Sequence, residues 1–207
     1  MLPQYDLIHQ LTAAQLAARL PDTAKVLVVG CGTGTEIVQL AALHPAWHFT
    51  GVDLSADMLN VAQGRCVQLG IQERVTLQCG QLTTLPSTPS HDAALLILVM
   101  HFLPDQGEKR DMLDHIVQRL KPGAPLVLVD LMEPADSMER EALRHACSQL
   151  GMDDDMVATM MHKLEQDFYP LSTPRLATLL AESGFQVPVR FFQSLGIHGM
   201  VAHTATC

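Results

Sequence analysis

Hydrophobic and polar positions along the chain follow two different periods. Short, nearly continuous apolar runs predict strands that are buried on both faces, at 26–29, 47–52, 92–100 and 125–131. Alternating stretches predict three further strands, at 74–79, 187–193 and 197–203, the last two joined as a hairpin. Apolar residues at helical spacing predict intervening helices, over 6–20, from 35 to about 43, 56–69, 108–120 and 173–181. The helix over 6–20 is expected to pack on the first strand.

The alternation of strands and helices predicts an α/β fold with a mostly parallel sheet. A length of 207 residues fits one domain, and 48% hydrophobic residues are ample for its core. The predicted organisation of domain 1–207 has four parts: an N-terminal helix in 1–24, a ligand-binding core in 25–132, an insert in 133–170, and a helix with a strand hairpin in 171–207.

The insert is longer than a simple connection between two strands requires. It predicts two amphipathic helices, about 136–150 and 153–166, joined at Gly151. It also holds several methionines, at positions 138, 152, 156, 160 and 161. Methionine is flexible and polarisable, and it is common on surfaces that fit varied apolar partners. We therefore expect the insert to cover a substrate pocket that includes Met156 and Met160; a packing or dimer surface is the alternative.

Three glycines lie between the first strand and the helix that follows it. Gly30, Gly32 and Gly34 allow a ligand to approach unpaired backbone N–H groups at a helix N-terminus. The second apolar run leads into Asp53, where a strand end delivers a carboxylate to the ribose hydroxyls of a nucleotide. The glycine spacing is G-x-G-x-G, which departs from the G-x-G-x-x-G of dinucleotide-binding proteins.

Two motifs in this region resemble a known family. VLVVGCGTG at 26–34, followed by GVDLSADML at 51–59, resembles the paired motifs of the class I S-adenosylmethionine-dependent methyltransferases. LKPGAPLVLVD at 120–130 resembles a third motif, and the likeness extends from Tyr5 to His203. The resemblance implies a Rossmann-like, doubly wound seven-stranded sheet with strand order 3-2-1-4-5-7-6 and an antiparallel last strand. It also implies the cofactor S-adenosylmethionine and methyl transfer to a small molecule.

The resemblance further implies which residues contact the cofactor. They are Gly30, Cys31, Gly32, Thr33, Gly34, Asp53, Leu54, Met58, Gly80, Gln81, Leu82 and Val99. The glycines would admit the methionine portion, Asp53 would bind the ribose, and Met58, Gln81 and Leu82 would contact the adenine. Gln81 stands where the family usually has an acid, but its carbonyl oxygen accepts the same hydrogen bond. For Met58, packing in the core is an equal alternative.

His101 is the candidate catalytic residue. It follows the fourth strand, next to the first strand at the point where the strand order reverses, and ligands of such sheets bind there. An imidazole at that place can take a proton from a substrate hydroxyl or amine. The alternative is that His101 only packs and hydrogen-bonds within its loop. Phe102, Tyr5 and His9 are the other candidates for the substrate pocket.

Composition narrows the choice of partners. A net charge of −9 with only 13 basic residues argues against a nucleic-acid partner. No apolar run approaches the eighteen or so residues needed to cross a bilayer, so no membrane partner is expected. Five scattered cysteines without a C-x-x-C predict reduced thiols and a cytoplasmic protein, and the ten histidines form no metal motif. A homodimer stays open.

Two other functions remain alternatives. Since a fold does not fix a function, the chain could bind S-adenosylmethionine without catalysis and regulate a partner. A nicotinamide-dependent oxidoreductase is the less favoured alternative, because the third glycine of the dinucleotide fingerprint is in the wrong place.

Overall fold

Seven strands form one sheet within residues 5–134 and 136–206, which the computed structural model describes. The strands are β1 (Lys25–Val29), β2 (His48–Asp53), β3 (Val75–Cys79), β4 (Ala93–Ile97), β5 (Pro125–Leu131), β6 (Val189–Ser194) and β7 (Ile197–His203). Their order is β3-β2-β1-β4-β5-β7-β6. The first five strands pair in parallel, while β7 runs antiparallel to both β5 and β6. This confirms the predicted fold class and strand order.

The helices have nearly the predicted bounds. They are α1 (Tyr5–Ala17), α2 (Thr35–Leu43), α3 (Ala56–Gln68), α4 (Glu108–Val117), α5 (Ser137–Gln149), α6 (Asp154–Gln166) and α7 (Thr173–Glu182). Side-chain oxygens cap several of them: Ser55 accepts from the Met58 amide at the start of α3, and Asp153 accepts from the Met156 amide at the start of α6. No described helix is both long and apolar enough to cross a bilayer.

Hydrophobic cores cover both faces of the sheet. Successive residues of a strand point to opposite faces, so Leu27 and Val29 pack with α4 and α7, while Val26 and Val28 pack with α2 and α3. Helix α1 packs on more strands than β1, on which it is predicted to lie. Its Ile8 packs at the ends of β4, β5 and β7, so this helix covers the centre of the sheet at its ligand-binding edge.

The fourth strand ends earlier than predicted. It stops at Ile97, because Leu98 takes a positive φ of 56° and donates its amide hydrogen bond to Val129 of β5. The next residues form a short 3-10 turn at Met100–Phe102, which we call the His101 turn. A backbone that turns here brings His101 out of the sheet and over its carboxyl edge.

The insert forms a small helical layer after β5. Helices α5 and α6 pack on each other around Cys147, Val157 and Met161. An ion pair between Arg140 and Glu165, 2.8 Å long, joins the two helices at their surface. This apolar cluster is separate from the sheet cores, so the insert has its own packing and meets the rest of the chain across cavities.

Candidate active site

A cavity of about 720 Å³ lies at the carboxyl edge of the sheet, around the glycines that follow β1. We call it the glycine-loop cavity. Nine of the twelve predicted cofactor residues line it: Gly30, Gly32, Asp53, Leu54, Met58, Gly80, Gln81, Leu82 and Val99. The other three lie beside it. Cys31 is buried beneath the loop, Thr33 points its carbonyl to Arg65, and Gly34 precedes α2.

Two glycines of the loop shape this cavity. A Cβ at Gly30 would lie 2.4 Å from Cγ2 of Val99, so a side chain at this position would collide with the segment after β4. Gly32 has a φ of 50°, and a Cβ there would meet only the Met58 sulfur, at 3.7 Å. Gly30 also has a positive φ, of 66°. Since L-residues rarely adopt such a φ, glycine at both positions allows the loop to turn here without a side chain beside its backbone.

The Asp53 carboxylate is fixed by two backbone amides. One oxygen accepts from Gly32 at 2.8 Å and the other from Ser55 at 2.9 Å. A carboxylate offers about four acceptor sites, so both oxygens keep a lone pair for a ligand. The same carboxylate therefore holds the glycine loop in place and presents a bidentate acceptor to the cavity.

The residues of the glycine-loop cavity fit a nucleoside with a thioether or sulfonium tail. Asp53 offers acceptors for two adjacent hydroxyls, and the side chains of Met58, Leu82 and Val99 form apolar walls for a base. The backbone at Gly30 and Gly32, which carries no side chains, leaves room for the tail.

A second cavity, of about 400 Å³, lies between the sheet edge and the insert. We call it the apolar cavity. Helix α5 contributes Leu143 and Cys147, and α6 contributes Met160. Leu98 and Phe102 line both this cavity and the glycine-loop cavity, so the two adjoin.

Strained backbone occurs at the walls of the apolar cavity. Leu98 and Leu195 are the non-glycine residues with positive φ in the described part of the chain, at 56° and 49°, and both line this cavity. Such a conformation costs about 1–3 kcal/mol and persists only where the surroundings hold it. The backbone conformation of Leu98 turns the chain between the two cavities and so determines where His101 lies.

His101 and Asp130 form a buried pair at the apolar cavity, which His101 lines. His101 Nδ1 lies 2.5 Å from an Asp130 oxygen, which also accepts from the Leu131 amide at 2.7 Å. The other Asp130 oxygen accepts from the Met100 amide at 2.6 Å. Because the carboxylate accepts at Nδ1, the proton of neutral His101 is assigned to Nδ1 and the lone pair to Nε2. This is the tautomer in which Nε2 can accept a proton and act as a base.

Sequence reasoning missed Asp130. Asp130 belongs to the motif at 120–130, which by itself predicts only the fold, although the residue ends an apolar strand beside the strand that leads to His101. Adjacent parallel strands deliver their last residues to the same edge of the sheet. An acid at the end of β5 was therefore the signal that could have identified a partner for His101.

The remaining pocket candidates lie in three places. Phe102 and Met160 line the apolar cavity, whereas Met156 is 53% exposed on α6 and does not. Tyr5 and His9 form an edge-to-face pair on α1, with ring centroids 4.3 Å apart. Neither lines the glycine-loop cavity or the apolar cavity among the described lining residues.

Burial changes the chemistry of two groups near the glycine loop. It raises the pKa of the Glu36 carboxyl, at the start of α2, to about 7. His9 Nδ1 lies 3.8 Å from this carboxyl. Burial also raises the pKa of the Cys31 thiol to about 12, with smaller contributions from Asp53 and Glu36. Cys31 is therefore an unreactive thiol that fills space under the loop.

The described residues contain no group of three or more histidine, cysteine or acidic side chains that could hold a metal ion.

A further cavity, of about 660 Å³, adjoins the apolar cavity, and Leu143 and Phe168 line both. Charged side chains at this further cavity pair with one another: Arg140 with Glu165, and Arg175 with Asp105.

Comparisons with known proteins agree with this geometry. Residues 26–123 match a family model described as a methyltransferase domain. The O-methyltransferase resE of Aspergillus sclerotiorum is 32% identical over 179 residues, which cover 84% of this chain and 60% of that protein. Demethylmenaquinone methyltransferase of Lactiplantibacillus plantarum is 29% identical over 205 residues, covering 94% and 82%.

Solved structures share the fold. A putative sarcosine dimethylglycine methyltransferase from Galdieria sulphuraria superimposes with a TM-score of 0.72 at 15% identity, covering 96% of this chain and 85% of that one. Mitomycin 7-O-methyltransferase gives 0.69 at 18% identity, covering 96% and 54%. This chain spans roughly half to three fifths of the length of several proteins that it matches. The matched domain and the paired motifs within it show that residues 26–123 are a domain of the S-adenosylmethionine-dependent methyltransferase family.

Proposed function

We propose that this protein is an enzyme that transfers the methyl group of S-adenosylmethionine to a hydroxyl oxygen of an apolar small molecule. One observation supports this proposal above all. A histidine that is hydrogen-bonded to a buried aspartate lines an apolar cavity, and that cavity adjoins the glycine-loop cavity through Leu98 and Phe102.

In this proposal the glycine-loop cavity holds the cofactor. Asp53 accepts hydrogen bonds from the two ribose hydroxyls, Met58 and Leu82 pack on the adenine, and Gln81 accepts from its amino group. Gly30 and Gly32 let the methionine portion approach the backbone. The bound cofactor supplies a sulfonium, whose methyl group is already activated for nucleophilic attack. The protein's task is therefore to position the acceptor in line and to exclude water.

His101 is the proposed general base. Its Nε2 takes the hydroxyl proton of the acceptor as the oxygen attacks the methyl group. Asp130 holds the Nδ1 proton in place and stabilises the imidazolium that forms, as a buried carboxylate does in other histidine–acid pairs. Met100 and Leu131 donate backbone hydrogen bonds to the same carboxylate, so its orientation does not depend on the histidine alone.

The chemistry of the apolar cavity favours an uncharged acceptor. The described residues that line it include no lysine, arginine, aspartate or glutamate, so an ionised group would be desolvated without a partner. The rings of Phe102 and Phe168 both lie within 5 Å of the His101 ring, at 4.1 and 4.7 Å between centroids. Aromatic rings in this arrangement favour a planar, aromatic acceptor.

The name of one relative supports an aromatic acceptor. The 3-hydroxy-5-methyl-1-naphthoate 3-O-methyltransferase of Streptomyces sahachiroi is 29% identical over 128 residues, which cover 61% of this chain and 36% of that protein. Its name describes methylation of a hydroxyl on a bicyclic aromatic ring that also carries a carboxylate, so it supports the aromatic ring and the hydroxyl of the proposed acceptor but not its lack of charge. A naphthol is therefore a suitable first probe for the present chain.

The same proposal covers the domain organisation, the compartment and the class of acceptor. We expect one domain, 1–207, in which the insert 133–170 determines the choice of acceptor, and we expect the reaction in the cytoplasm. A net charge of −9 supports a small-molecule acceptor over a nucleic acid. A homodimer stays open, and the sedimentation coefficient of the purified protein decides it.

Methyl transfer to 2-naphthol tests the proposal. We expect the methyl ether as the product, identified by mass spectrometry, and a lower rate for 6-hydroxy-2-naphthoate, which carries a carboxylate. His101→Ala should lower the rate about 10²- to 10⁴-fold, while His162→Ala, at an exposed histidine of α6, should not.

Three outcomes would refute it. A ring-methylated product would show that carbon is the acceptor atom. Binding of S-adenosylhomocysteine without turnover of any hydroxylated probe would favour the alternative of a non-catalytic regulator, and a preference for a nicotinamide cofactor would favour an oxidoreductase. The named methyltransferases among the relatives support neither alternative.

A further inference from the structure

A fully buried lysine lies beneath the His101 turn. Lys109, on α4, has 0% of its surface exposed. Its Nζ donates to the carbonyl of Met100 at 2.5 Å and to the carbonyl of Tyr169 at 2.8 Å. Lysine is among the residues that are almost never fully buried without a reason. Both acceptors of this ammonium belong to segments that border the apolar cavity.

These two segments come from distant parts of the chain. Met100 opens the His101 turn, and Tyr169 lies at the end of the insert, next to Phe168 of the apolar cavity. The Tyr169 amide donates to the His101 carbonyl at 2.7 Å, so the segments also contact each other directly. Lys109 therefore completes a set of three hydrogen bonds that joins the base-bearing turn to the end of the insert.

A lysine is a costly way to fill this position. Burial lowers the pKa of the Lys109 ammonium, although Asp130 and Asp105 act in the opposite direction. A methionine has a similar shape and fills a buried site without desolvating a charge. The Tyr169 carbonyl, however, would then lose the Lys109 donor, and the Met100 carbonyl would keep only its bond from the Leu103 amide. A buried carbonyl that loses its donor is destabilising. The ammonium is favoured because it satisfies both carbonyls at once.

We propose that Lys109 is a positioning residue for methyl transfer: it holds the His101 turn and the Phe168–Tyr169 segment in one register, so that His101 faces the acceptor. This inference rests on the proposed function of His101 as a base. Its own prediction concerns coupling. A change at Lys109 should act on catalysis through His101 and should leave the glycine-loop cavity, which Lys109 does not line, unaffected.

A double-mutant cycle between Lys109 and His101 tests this coupling. We expect Lys109→Met to lower kcat for 2-naphthol about 10- to 100-fold, because small misplacements of a catalytic group have effects of this size. In a His101→Ala background, the same substitution should change the residual rate less than about twofold. Lys163→Met, at an exposed lysine of α6, is the matched control. An equal loss in both backgrounds would overturn the proposal.

Two measurements without turnover distinguish this inference from the proposed function. Hydrogen exchange at the Tyr169 amide should become faster in Lys109→Met, whereas the affinity for S-adenosylhomocysteine should stay unchanged. Unchanged exchange would overturn the positioning role whether or not 2-naphthol is methylated. Lys109→Gln, which can still donate to one of the two carbonyls, should be intermediate. If both variants lost cofactor binding, Lys109 would be assigned to folding and the proposal rejected.

Discussion

Replacing Asp130 by asparagine changes the pair at the centre of the proposed mechanism with little change in volume. Asp130 accepts three hydrogen bonds, from His101, Leu131 and Met100, and it is 2% exposed. An asparagine has one oxygen and one NH₂ group in place of two acceptors. In either orientation of the amide, its NH₂ group therefore points at a backbone N–H whose hydrogen bond the aspartate accepts.

The two orientations have different consequences for His101. With the amide oxygen toward His101 and Leu131, the NH₂ group faces the Met100 amide and disturbs the His101 turn. With the oxygen toward Met100, the NH₂ group faces His101 Nδ1, which then accepts and moves its proton to Nε2. That tautomer cannot act as a base. In both cases one buried backbone donor is left without an acceptor, so the free energy of unfolding should fall by about 1–3 kcal/mol.

The effect on catalysis should be larger than the effect on stability. Losing the carboxylate removes the group that stabilises the imidazolium, and general base catalysis contributes about 10²- to 10⁴-fold to a rate. We expect kcat for 2-naphthol to fall by a factor in that range. The affinity for S-adenosylhomocysteine, measured by calorimetry, should stay constant because Asp130 does not line the glycine-loop cavity.

Asp92→Asn provides a matched control at the opposite edge of the sheet. Asp92 precedes β4 and accepts from the Lys25 amide at 2.8 Å and from Lys121 Nζ at 2.6 Å. Its replacement should lower the stability without lowering kcat. If Asp130→Asn retained wild-type kcat, or if Asp92→Asn lost as much activity, the reasoning about the His101–Asp130 pair would be refuted.

Four further predictions concern the rest of the site. Asp53→Ala should weaken calorimetric binding of S-adenosylhomocysteine by about 1–3 kcal/mol; an unchanged affinity would exclude the ribose contact. Glu36 has a pKa of about 7 in the fold against 4.5 ordinarily, so the folded state binds an extra proton and stability falls as the pH rises between these values. Glu36→Gln should remove this dependence and raise the free energy of unfolding at pH 8 by up to about 3 kcal/mol; a less stable variant would contradict this. Iodoacetamide at pH 8 should alkylate exposed Cys79 and spare Cys31, as peptide mass mapping would show; an alkylated Cys31 would contradict its burial. Exchanging residues 136–166 for those of a relative should change the range of acceptors without changing cofactor affinity; loss of cofactor binding in a folded chimera would exclude the role given to the insert.

The fold could be predicted because its signals are local. Each buried strand is a short apolar run, and each helix shows its own spacing and, in several cases, its own cap. The strand order came from the resemblance of the glycine motif and the motif around Asp53, since neither composition nor periodicity determines which strands are neighbours. The two insert helices were likewise visible in their amphipathic pattern.

The missed features depend on contacts between distant residues. The early end of β4 follows from the positive φ of Leu98, a conformation that the leucine side chain itself disfavours and that its hydrogen bond to Val129 supports. Asp130, the partner of His101, lies 29 residues away along the chain, and Tyr169, one of the two partners of Lys109, lies 60 residues away. Helix α1 packs across β4 and β5 because those strand ends, not β1 alone, offer an apolar surface to Ile8.

Calorimetric titration of the purified protein with S-adenosylhomocysteine, and in parallel with NAD, tests the central claim most directly. The glycine-loop cavity presents both carboxylate oxygens of Asp53 and a glycine backbone without side chains. It therefore predicts binding of S-adenosylhomocysteine with a Kd on the order of micromolar and no binding of NAD. Binding of NAD alone, or of neither compound, would contradict the account.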